Sequence, residues 1–375
     1  MYQPFLLSLV SYFKKLIMRR YLLIIIGVIL ITDYATAQNF RYTEASDLTL
    51  VGKLFTDTPN PYHRLDTVRY KGFTKAENRQ VRESSGIAVA FSTNSRTIRV
   101  KTQFGEREQP YNTMGISAFG YDLYILQDGR WYWAGSGPRG SKKYDDFTIA
   151  ENLDGTEHQC LMYLPTFSEE KSVQIGVESR ASLSASPNPF RYRIGIFGSS
   201  FTHGTSTSRS GMTYPAQFSR STGIQLLSLG CSGNCKMQPY FAGALEDAKV
   251  DGFLFDTFSN PTEDEIRERL FPFIERMVKA HPGKPLIFQR TIYRGNRGFN
   301  TESARKEESR IALADSLMSI ACARYADVYY IQPYAGSRDD DTFVDGIHPG
   351  NDGYSKWAES IEAPVLAILR KYGIK

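Results

Sequence analysis

The chain has 375 residues, of which 41% are hydrophobic, 13% aromatic and 23% charged. This composition excludes collagen-like, low-complexity and disordered chains, and the length is sufficient for about two globular domains. The net charge is +5, but residues 1–37 hold four Lys or Arg side chains against one Asp. The weakly positive remainder gives no reason to expect a nucleic acid as the partner.

The first 37 residues are typical of an export signal. Basic side chains precede eleven apolar residues, 21–31, and small side chains follow up to Ala37. Eleven residues are too few to span a bilayer, which takes about 20. We predict Met18 as the initiator, with residues 1–17 upstream of the true start, and an N-terminal membrane anchor is the alternative. No later apolar run reaches spanning length, so we expect a periplasmic or secreted protein without a stable membrane span.

Residues 38–188 show the two-residue alternation of β-strands and no long helical period. Runs of β-branched and aromatic residues occur at 87–91, 97–100 and 172–177. Asp128 and Gly129 separate two further apolar runs and are typical of a type I′ hairpin turn, because both positions need a positive φ. We therefore predict an all-β, jelly-roll-like sandwich that ends in a turn-rich linker at 184–189.

Beyond residue 188, apolar strands alternate with amphipathic helices. The predicted strands lie at 193–197, 224–229, 252–255, 286–289 and 328–331. One predicted helix begins at a capping box formed by Thr262 and Glu265, and two more cover about 302–324 and 352–371. This alternation predicts a second domain, 189–375, with a parallel sheet covered by helices on both faces.

The four cysteines are too few for a disulfide scaffold, and no zinc-ligand spacing is present. Cys231 and Cys235 could form a bridge in an oxidising compartment, whereas Cys322 lies on the apolar face of a predicted helix and fits a core position. The acidic run at 339–341 lacks the spacing of a calcium loop, so we interpret it as a solvated turn. We expect no metal.

Polar residues that could carry out catalysis follow several of the predicted strands. Residues 198–204 form a small, Ser- and Gly-rich turn that would expose the Ser200 hydroxyl, and their spacing does not fit a phosphate loop. Near the C-terminus, Asp345 lies three residues before His348 and could orient its imidazole, although a helix-entry turn is the alternative. Sites in doubly wound sheets form at the carboxyl ends of strands, where these residues are expected.

Two further strand ends contain the donors that an oxyanion hole requires. Gly233 follows the second predicted strand of the sheet, and Asn260 follows the third. A backbone N–H and a side-chain amide are suited to this task, although turns also collect Gly and Asn. His203 is close to Ser200 in sequence, and we interpret it as an exposed turn residue.

Four blocks occur in the order that the SGNH/GDSL hydrolases show, namely Gly198-x-Ser200-x-Thr202-x-Gly204, Gly233, Asn260 and Asp345-x-x-His348. The chain from about residue 190 onward therefore resembles that family, which implies a three-layer, flavodoxin-like α/β/α hydrolase domain. The segment 120–124, Gly-Tyr-Asp-Leu-Tyr, is similar to the GxDLY signature of the β-domain that precedes one bacterial branch of the family. Residues 208–212 resemble the segment after the nucleophile in that branch.

The resemblance implies a role for each matching residue. Ser200 would be the nucleophile, His348 the general base and acid, and Asp345 its orienting partner. The backbone N–H groups of Ser200 and Gly233 and the amide of Asn260 would form the oxyanion hole, and no cofactor is needed.

Two departures from the family pattern affect the site. Ser199 replaces the Asp that usually precedes the nucleophile, and Thr257-Phe258-Ser259 stands where a Gly is usual. Neither departure removes a residue of the predicted triad or oxyanion hole. Both leave the positioning of substrate open.

The resemblance and the export signal together imply a secreted serine esterase that removes O-acyl groups such as acetyl from carbohydrate. A lipid or thioester acylhydrolase would use the same residues. An inactive glycan-binding protein is the alternative from another class. The aromatic run at 131–133 could either pack within its strand or form a wall of the substrate cleft.

Overall fold

The computed structural model describes residues 14, 16–18, 39–138 and 144–375. Apart from four of these residues, the predicted export segment 1–37 lies outside the described residues. Residues 42–375 form one compact unit, and the division at residues 188 and 189 stays a prediction. No helix within the described ranges combines the length and the apolar character needed to cross a membrane.

The described strands are β1 (Phe40–Glu44), β2 (Thr49–Val51), β3 (Ala88–Thr93), β4 (Ile98–Arg107), β5 (Tyr121–Gln127), β6 (Arg130–Gly137), β7 (Asp146–Ala150), β8 (His158–Tyr163), β9 (Ser168–Glu178), β10 (Leu183–Ala185), β11 (Arg191–Gly198), β12 (Ile224–Gly230), β13 (Gly252–Asp256), β14 (Leu286–Gln289) and β15 (Val328–Ile331). The described α-helices are α1 (Lys75–Arg82), α2 (Gly115–Ala118), α3 (Ser200–His203), α4 (Tyr214–Thr222), α5 (Pro239–Glu246), α6 (Glu263–Ala280), α7 (Thr301–Arg324) and α8 (Asn351–Arg370).

The first ten strands form the predicted antiparallel sandwich. One sheet has the order β1-β9-β4-β7, and the other has the order β10-β3-β8-β5-β6 with β2 also paired to β3. Val173, Ile175 and Val177 alternate along β9 and are buried in the core of the sandwich, which is the period that predicted the strand. The predicted hairpin is confirmed, since Asp128 and Gly129 have φ values of 50° and 77°.

Two features of this region differ from the predictions. The segment 184–189 is not a turn throughout, because Ser184 and Ala185 belong to β10 and pair with β3. Helices α1 and α2 were not predicted, since α1 has only two apolar residues, Ala76 and Val81, and α2 has only four residues. A capping box between Thr74 and Glu77 begins α1, with both reciprocal hydrogen bonds formed.

The later strands form the predicted parallel sheet, in the order β12-β11-β13-β14-β15. This is the flavodoxin-like order, in which the second strand lies at one edge beside the first, and the later strands follow in turn on the other side of the first. Ile194 and Ile196 of β11 face α4 and α8, whereas Phe197 faces the core that α5, α6 and α7 cover. The predicted capping box of α6 is formed by Thr262 and Glu265.

The Asp of the Gly-Tyr-Asp-Leu-Tyr segment joins the sandwich to the parallel-sheet region. Asp122 is completely buried, and its carboxylate accepts hydrogen bonds from Arg209 Nη1 at 2.8 and 3.0 Å and from the Gly211 N–H at 3.0 Å. Trp133 Nε1 donates to the same carboxylate at 3.1 Å. Burial raises the pKa of Asp122, and the charge of Arg209 opposes that shift. Arg209 and Gly211 follow the predicted nucleophile, so Asp122 fixes that segment.

We predict that Asp122→Asn lowers the free energy of unfolding by about 3 kcal/mol, because it leaves the Arg209 guanidinium without its buried counter-charge. Urea denaturation at pH 7 measures the change. Asp47→Asn, at an exposed position of the same region, is the control and should be neutral. Equal stability of the two variants would show that Asp122 does not join the two regions.

Candidate active site

The loops that contain the predicted site begin at neighbouring strand ends. In the sheet register, Gly198 at the end of β11 pairs with Gly230 of β12 on one side and with Asp256 of β13 on the other. Adjacent strands lie about 4.8 Å apart, so the loops after them leave the sheet side by side. The predicted site residues in these three loops are Ser200, Gly233 and Asn260.

Two glycines let the turn that contains Ser200 lie close over the sheet. A Cβ on Gly198 would lie 2.0 Å from Thr202 Oγ1, and a Cβ on Gly230 would lie 2.3 Å from the backbone nitrogen of His203. Helix α3 can therefore begin directly above the strand ends only because both positions lack a side chain. Ser199 is its N-cap, with its hydroxyl accepting a hydrogen bond from the Phe201 N–H at 3.2 Å.

The structure brings the three predicted triad residues together. His348 Nε2 lies 2.8 Å from Ser200 Oγ, and His348 Nδ1 lies 2.8 Å from Asp345 Oδ2. The other carboxylate oxygen, Oδ1, accepts hydrogen bonds from the backbone N–H groups of Ile347 at 2.9 Å and His348 at 2.7 Å. The short loop thus holds Asp345 against the imidazole, which lies within hydrogen-bond distance of the hydroxyl.

The electrostatic surroundings suit a general base at position 348. Burial lowers the pKa of His348, the carboxylate of Asp345 opposes this, and the charge of Arg294 adds to the lowering. The imidazole is therefore neutral at pH 7, and Nε2 can accept a proton from Ser200. Burial would raise the pKa of Asp345, but hydrogen bonds from the His348 N–H and ring and from the Ile347 N–H outweigh it and hold that pKa well below its usual range. Asp345 is ionised.

The loops with the predicted oxyanion donors are linked to each other. Asn260 Oδ1 accepts a hydrogen bond from the Cys235 N–H at 3.2 Å, which leaves Nδ2 as the free end of the amide. Within the described residues, neither Asn260 Nδ2 nor the N–H groups of Ser200 and Gly233 donate to a protein acceptor. Donors of this kind at one sheet edge are able to stabilise an oxyanion.

The prediction for His203 is wrong, because this side chain is completely buried. Its Nε2 lies 2.8 Å from the Thr166 carbonyl oxygen and 3.0 Å from Glu83 Oε2, and its Nδ1 accepts from the Ser232 N–H at 3.3 Å. The ring also stacks on Phe167 at 4.2 Å between centroids. His203 therefore connects helix α3 to the sandwich and to the loop of Gly233, which its closeness to Ser200 in sequence does not reveal.

A carboxylate from the neighbouring strand β13 lies beneath the turn that contains Ser200. Asp256 Oδ2 accepts hydrogen bonds from Ser199 Oγ at 2.7 Å, the Ser199 N–H at 3.1 Å and Thr202 Oγ1 at 3.0 Å. Ser259 Oγ donates to Oδ1 at 3.2 Å. Burial raises the pKa of Asp256, and these hydrogen bonds oppose the shift. The departure at Ser199 thus has a physical account, since a second buried carboxylate there would face Asp256.

Sequence reasoning missed two residues of the sandwich region that contact the triad. Asn112 Nδ2 lies 2.7 Å from Asp345 Oδ2, and the Tyr111 hydroxyl lies 3.3 Å from the same oxygen. Both residues lie in the connection between β4 and α2. A single Asn in a polar connection resembles any turn residue, so the sequence holds no signal for this contact.

The cysteines and acidic residues give no sign of a bridge or a metal site. All four cysteines are free, including the buried Cys231 and Cys235, and burial raises the pKa of Cys231 to about 12. Cys322 packs against the core as predicted. Across the described ranges, no three or more His, Cys, Asp and Glu side chains are grouped as metal ligands.

Two family models match the chain, and together they cover the sandwich and the parallel-sheet region. The model described as the N-terminus of an SGNH-hydrolase-type esterase, GxDLY, matches residues 40–183, and the GDSL-like lipase/acylhydrolase model matches residues 191–367. A crystal structure from Bacteroides ovatus ATCC 8483, described as a GDSL-like lipase, is 34% identical, with a TM-score of 0.83 over 88% of this chain and 98% of that one. The chain belongs to the SGNH/GDSL hydrolases. It is therefore a carboxylic ester hydrolase.

Two more distant solved structures share the fold. The salicylyl-acyltransferase SsfX3 is 18% identical with a TM-score of 0.64, and a family two carbohydrate esterase from Cellvibrio japonicus is 11% identical with a TM-score of 0.57. Each alignment covers 88% of this chain and 98% of the other. At these identities the likeness shows the fold alone. No curated protein matches this hydrolase.

We predict that Ser199→Asp lowers the free energy of unfolding at pH 7 by about 3 kcal/mol, because two buried carboxylates would face each other. The exchange Ser199→Asp with Asp256→Ser should restore most of that stability, since Asp is also a good N-cap for α3. A double-mutant cycle by urea denaturation measures the coupling. Additive effects of the two substitutions on the free energy of unfolding would contradict the explanation that an Asp at position 199 is unfavourable because it faces Asp256.

Proposed function

We propose that this hydrolase cleaves an O-acyl ester through a covalent acyl-enzyme on Ser200. The observation that carries the proposal is the continuous hydrogen-bonded series from Asp345 through His348 to Ser200, with both distances at 2.8 Å. A nucleophile, a base and an orienting carboxylate in this order are what nucleophilic acyl transfer requires. The charge states of Asp345 and His348 agree with those roles.

The reaction follows from these positions in two halves. His348 Nε2 accepts the proton as Ser200 Oγ attacks the ester carbonyl, and the imidazolium is stabilised by Asp345. The N–H groups of Ser200 and Gly233 and the Asn260 amide would stabilise the oxyanion. Collapse of this intermediate breaks the bond to the alcohol, which receives the proton from His348. Water then attacks the acyl-enzyme with His348 again as the base, and releases the acid and free Ser200.

The proposal extends to an acetyl or other short acyl group on a carbohydrate, handled outside the cytoplasm. The export signal predicted within residues 1–37 supports the location. Carbohydrate esterases share the fold, and the ring of Tyr111 is 91% exposed beside the triad, where it could stack on a sugar. A lipid or thioester acylhydrolase is the second candidate, since the same three residues would serve it. An inactive glycan-binding protein has no physical need for the assembled triad.

Ser200→Ala is expected to lower kcat/KM for p-nitrophenyl acetate by at least about 10³-fold, because the acyl group then has no serine oxygen to bind. Ser46→Ala, which removes an exposed hydroxyl, is the matched control and should keep full activity. Circular dichroism checks that both variants are folded. A folded Ser200→Ala enzyme with the wild-type rate would contradict the proposed nucleophile.

The same assay with p-nitrophenyl esters of longer acids separates the two substrate candidates. A short-chain esterase should lose kcat/KM steadily beyond about four carbons, whereas a lipid acylhydrolase should gain it. Release of acetate from acetylated xylan by the wild type, and not by Ser200→Ala, would support the carbohydrate assignment. Hydrolysis confined to long-chain esters would replace it with the lipid assignment.

A further inference from the structure

The triad carboxylate receives a hydrogen bond from outside the parallel-sheet region. Asn112 Nδ2 lies 2.7 Å from Asp345 Oδ2, which is the oxygen that faces His348 Nδ1 at 2.8 Å. The distance from Asn112 Nδ2 to His348 Nδ1 is 3.3 Å. The Tyr111 hydroxyl lies 3.3 Å from the same oxygen. Three donors therefore meet on one carboxylate oxygen, and two of them belong to the sandwich region.

The Asn112 amide has one chemically sensible orientation. Thr113 Oγ1 lies 3.4 Å from Asn112 Oδ1 and can donate to it, and Thr113 Oγ1 accepts a hydrogen bond from the Ser206 N–H at 3.0 Å. An ionised carboxylate has only acceptor oxygens, so the amide must present its NH₂ group to Asp345. The reversed amide would set two oxygens 2.7 Å apart.

The connection that holds Asn112 is fixed on the segment after the nucleophile helix. Thr113 is buried and contacts the backbone of Ser206, and Gln109 Nε2 donates to the Thr113 carbonyl oxygen at 2.9 Å. Ser117 Oγ lies 2.7 Å from Thr207 Oγ1. Because residues 206 and 207 follow α3 closely, the position of Asn112 is set relative to Ser200 as well as to Asp345.

We propose that Asn112 is a positioning residue that holds Asp345 Oδ2 on His348 Nδ1, so that the sandwich region completes the triad. The inference rests on the proposed function of the triad and goes beyond it by giving the sandwich a part in catalysis. Asp345 is confined on both oxygens, by the backbone on Oδ1 and by Asn112 on Oδ2, where the Tyr111 hydroxyl is the longer second contact from the sandwich region. The imidazole then keeps the tautomer with Nδ1–H and an accepting Nε2, which attack by Ser200 requires.

The charged and titratable groups around the pair make a pH profile informative. Arg294 acts on His348 and Asp345, and Tyr111 and Tyr354 face Asp345. Asn112 is neutral and of the same shape as Asp. Asn112→Asp therefore sets a second carboxylate against Asp345 Oδ2 and beside the imidazole. The two carboxylates repel each other, and protonation of the imidazole relieves that repulsion, so the protonated form is stabilised. Activity needs the neutral form, so the rising limb of kcat/KM should move to higher pH by about 1 to 3 units.

The experiment compares kcat, KM and pH profiles for p-nitrophenyl acetate among the full chain and three variants. Asn112→Ala should lower kcat about tenfold or more with little change in KM, and Asn112→Asp should also shift the rising limb. Asn94→Asp is the control for added charge, because Asn94 is exposed and its Oδ1 accepts from the Ser182 N–H at 2.7 Å, which Asp can also do. This control should match the wild type in rate and profile.

Each outcome either supports or overturns the positioning role of Asn112. A lower kcat in Asn112→Ala together with a shifted limb in Asn112→Asp supports the positioning role. A wild-type kcat in Asn112→Ala overturns it, whatever the profile of Asn112→Asp, and so does a lowered kcat in Asn112→Ala with an unmoved rising limb in Asn112→Asp. Ser200→Ala distinguishes a failure of the positioning role from a failure of the proposed function. If Ser200→Ala is inactive while both Asn112 variants behave like the wild type, only the positioning role is overturned. If Asn112→Ala does not fold, the rising limb of kcat/KM against pH in the isosteric Asn112→Asp decides whether the positioning role stands.

Discussion

The site of this hydrolase depends on three parallel strands that end at the same level. Because β11 pairs with β12 and β13, Gly198 lies between Gly230 and Asp256, and the three loops that follow leave one sheet edge together. Helix α3 can begin directly above this edge only because Gly198 and Gly230 have no Cβ. Ser200 is thereby placed at the edge where the Gly233 and Asn260 loops also lie, and where Nε2 of His348 is 2.8 Å away.

Three separate contacts connect the sandwich region to the site at this sheet edge. Asp122 holds Arg209 and Gly211 after α3, the Thr166 carbonyl accepts from His203 within α3, and Asn112 contacts the carboxylate of Asp345. All of these contacts end on segments next to Ser200 or on the triad itself. The sandwich region and the parallel-sheet region lie together in the one compact unit that residues 42–375 form. The GxDLY segment is thus better understood as part of the support of the active site than as a separate binding module.

The sequence predicted those features that depend on local chemistry. The hairpin at Asp128 and Gly129 requires two positive φ values, and the capping box of α6 requires a fixed spacing of three residues, so both could be read directly. The spacing of Asp345 and His348 likewise anticipated a pair held within one loop. The alternation of apolar strands with amphipathic helices was sufficient to predict a parallel sheet covered on both faces.

The remaining features depend on contacts between distant parts of the chain. Ser199 and Asp256 are 57 residues apart, and Asn112 and Asp345 are 233 residues apart. No local pattern marks such partners, because each residue taken alone is an ordinary turn or strand-end residue. His203 was misjudged for the same reason, since its burial results from packing against Phe167 of the sandwich.

The central claim is that Ser200 is the nucleophile, and covalent labelling tests it most directly. A reactive organophosphate such as diethyl p-nitrophenyl phosphate phosphorylates a serine that an adjacent His activates. After digestion with trypsin, fragmentation of the peptide 194–209 locates the added group by mass spectrometry. We expect one equivalent of label on Ser200, with loss of activity in proportion. Label on another residue, or full inactivation with Ser200 unmodified, would contradict the account.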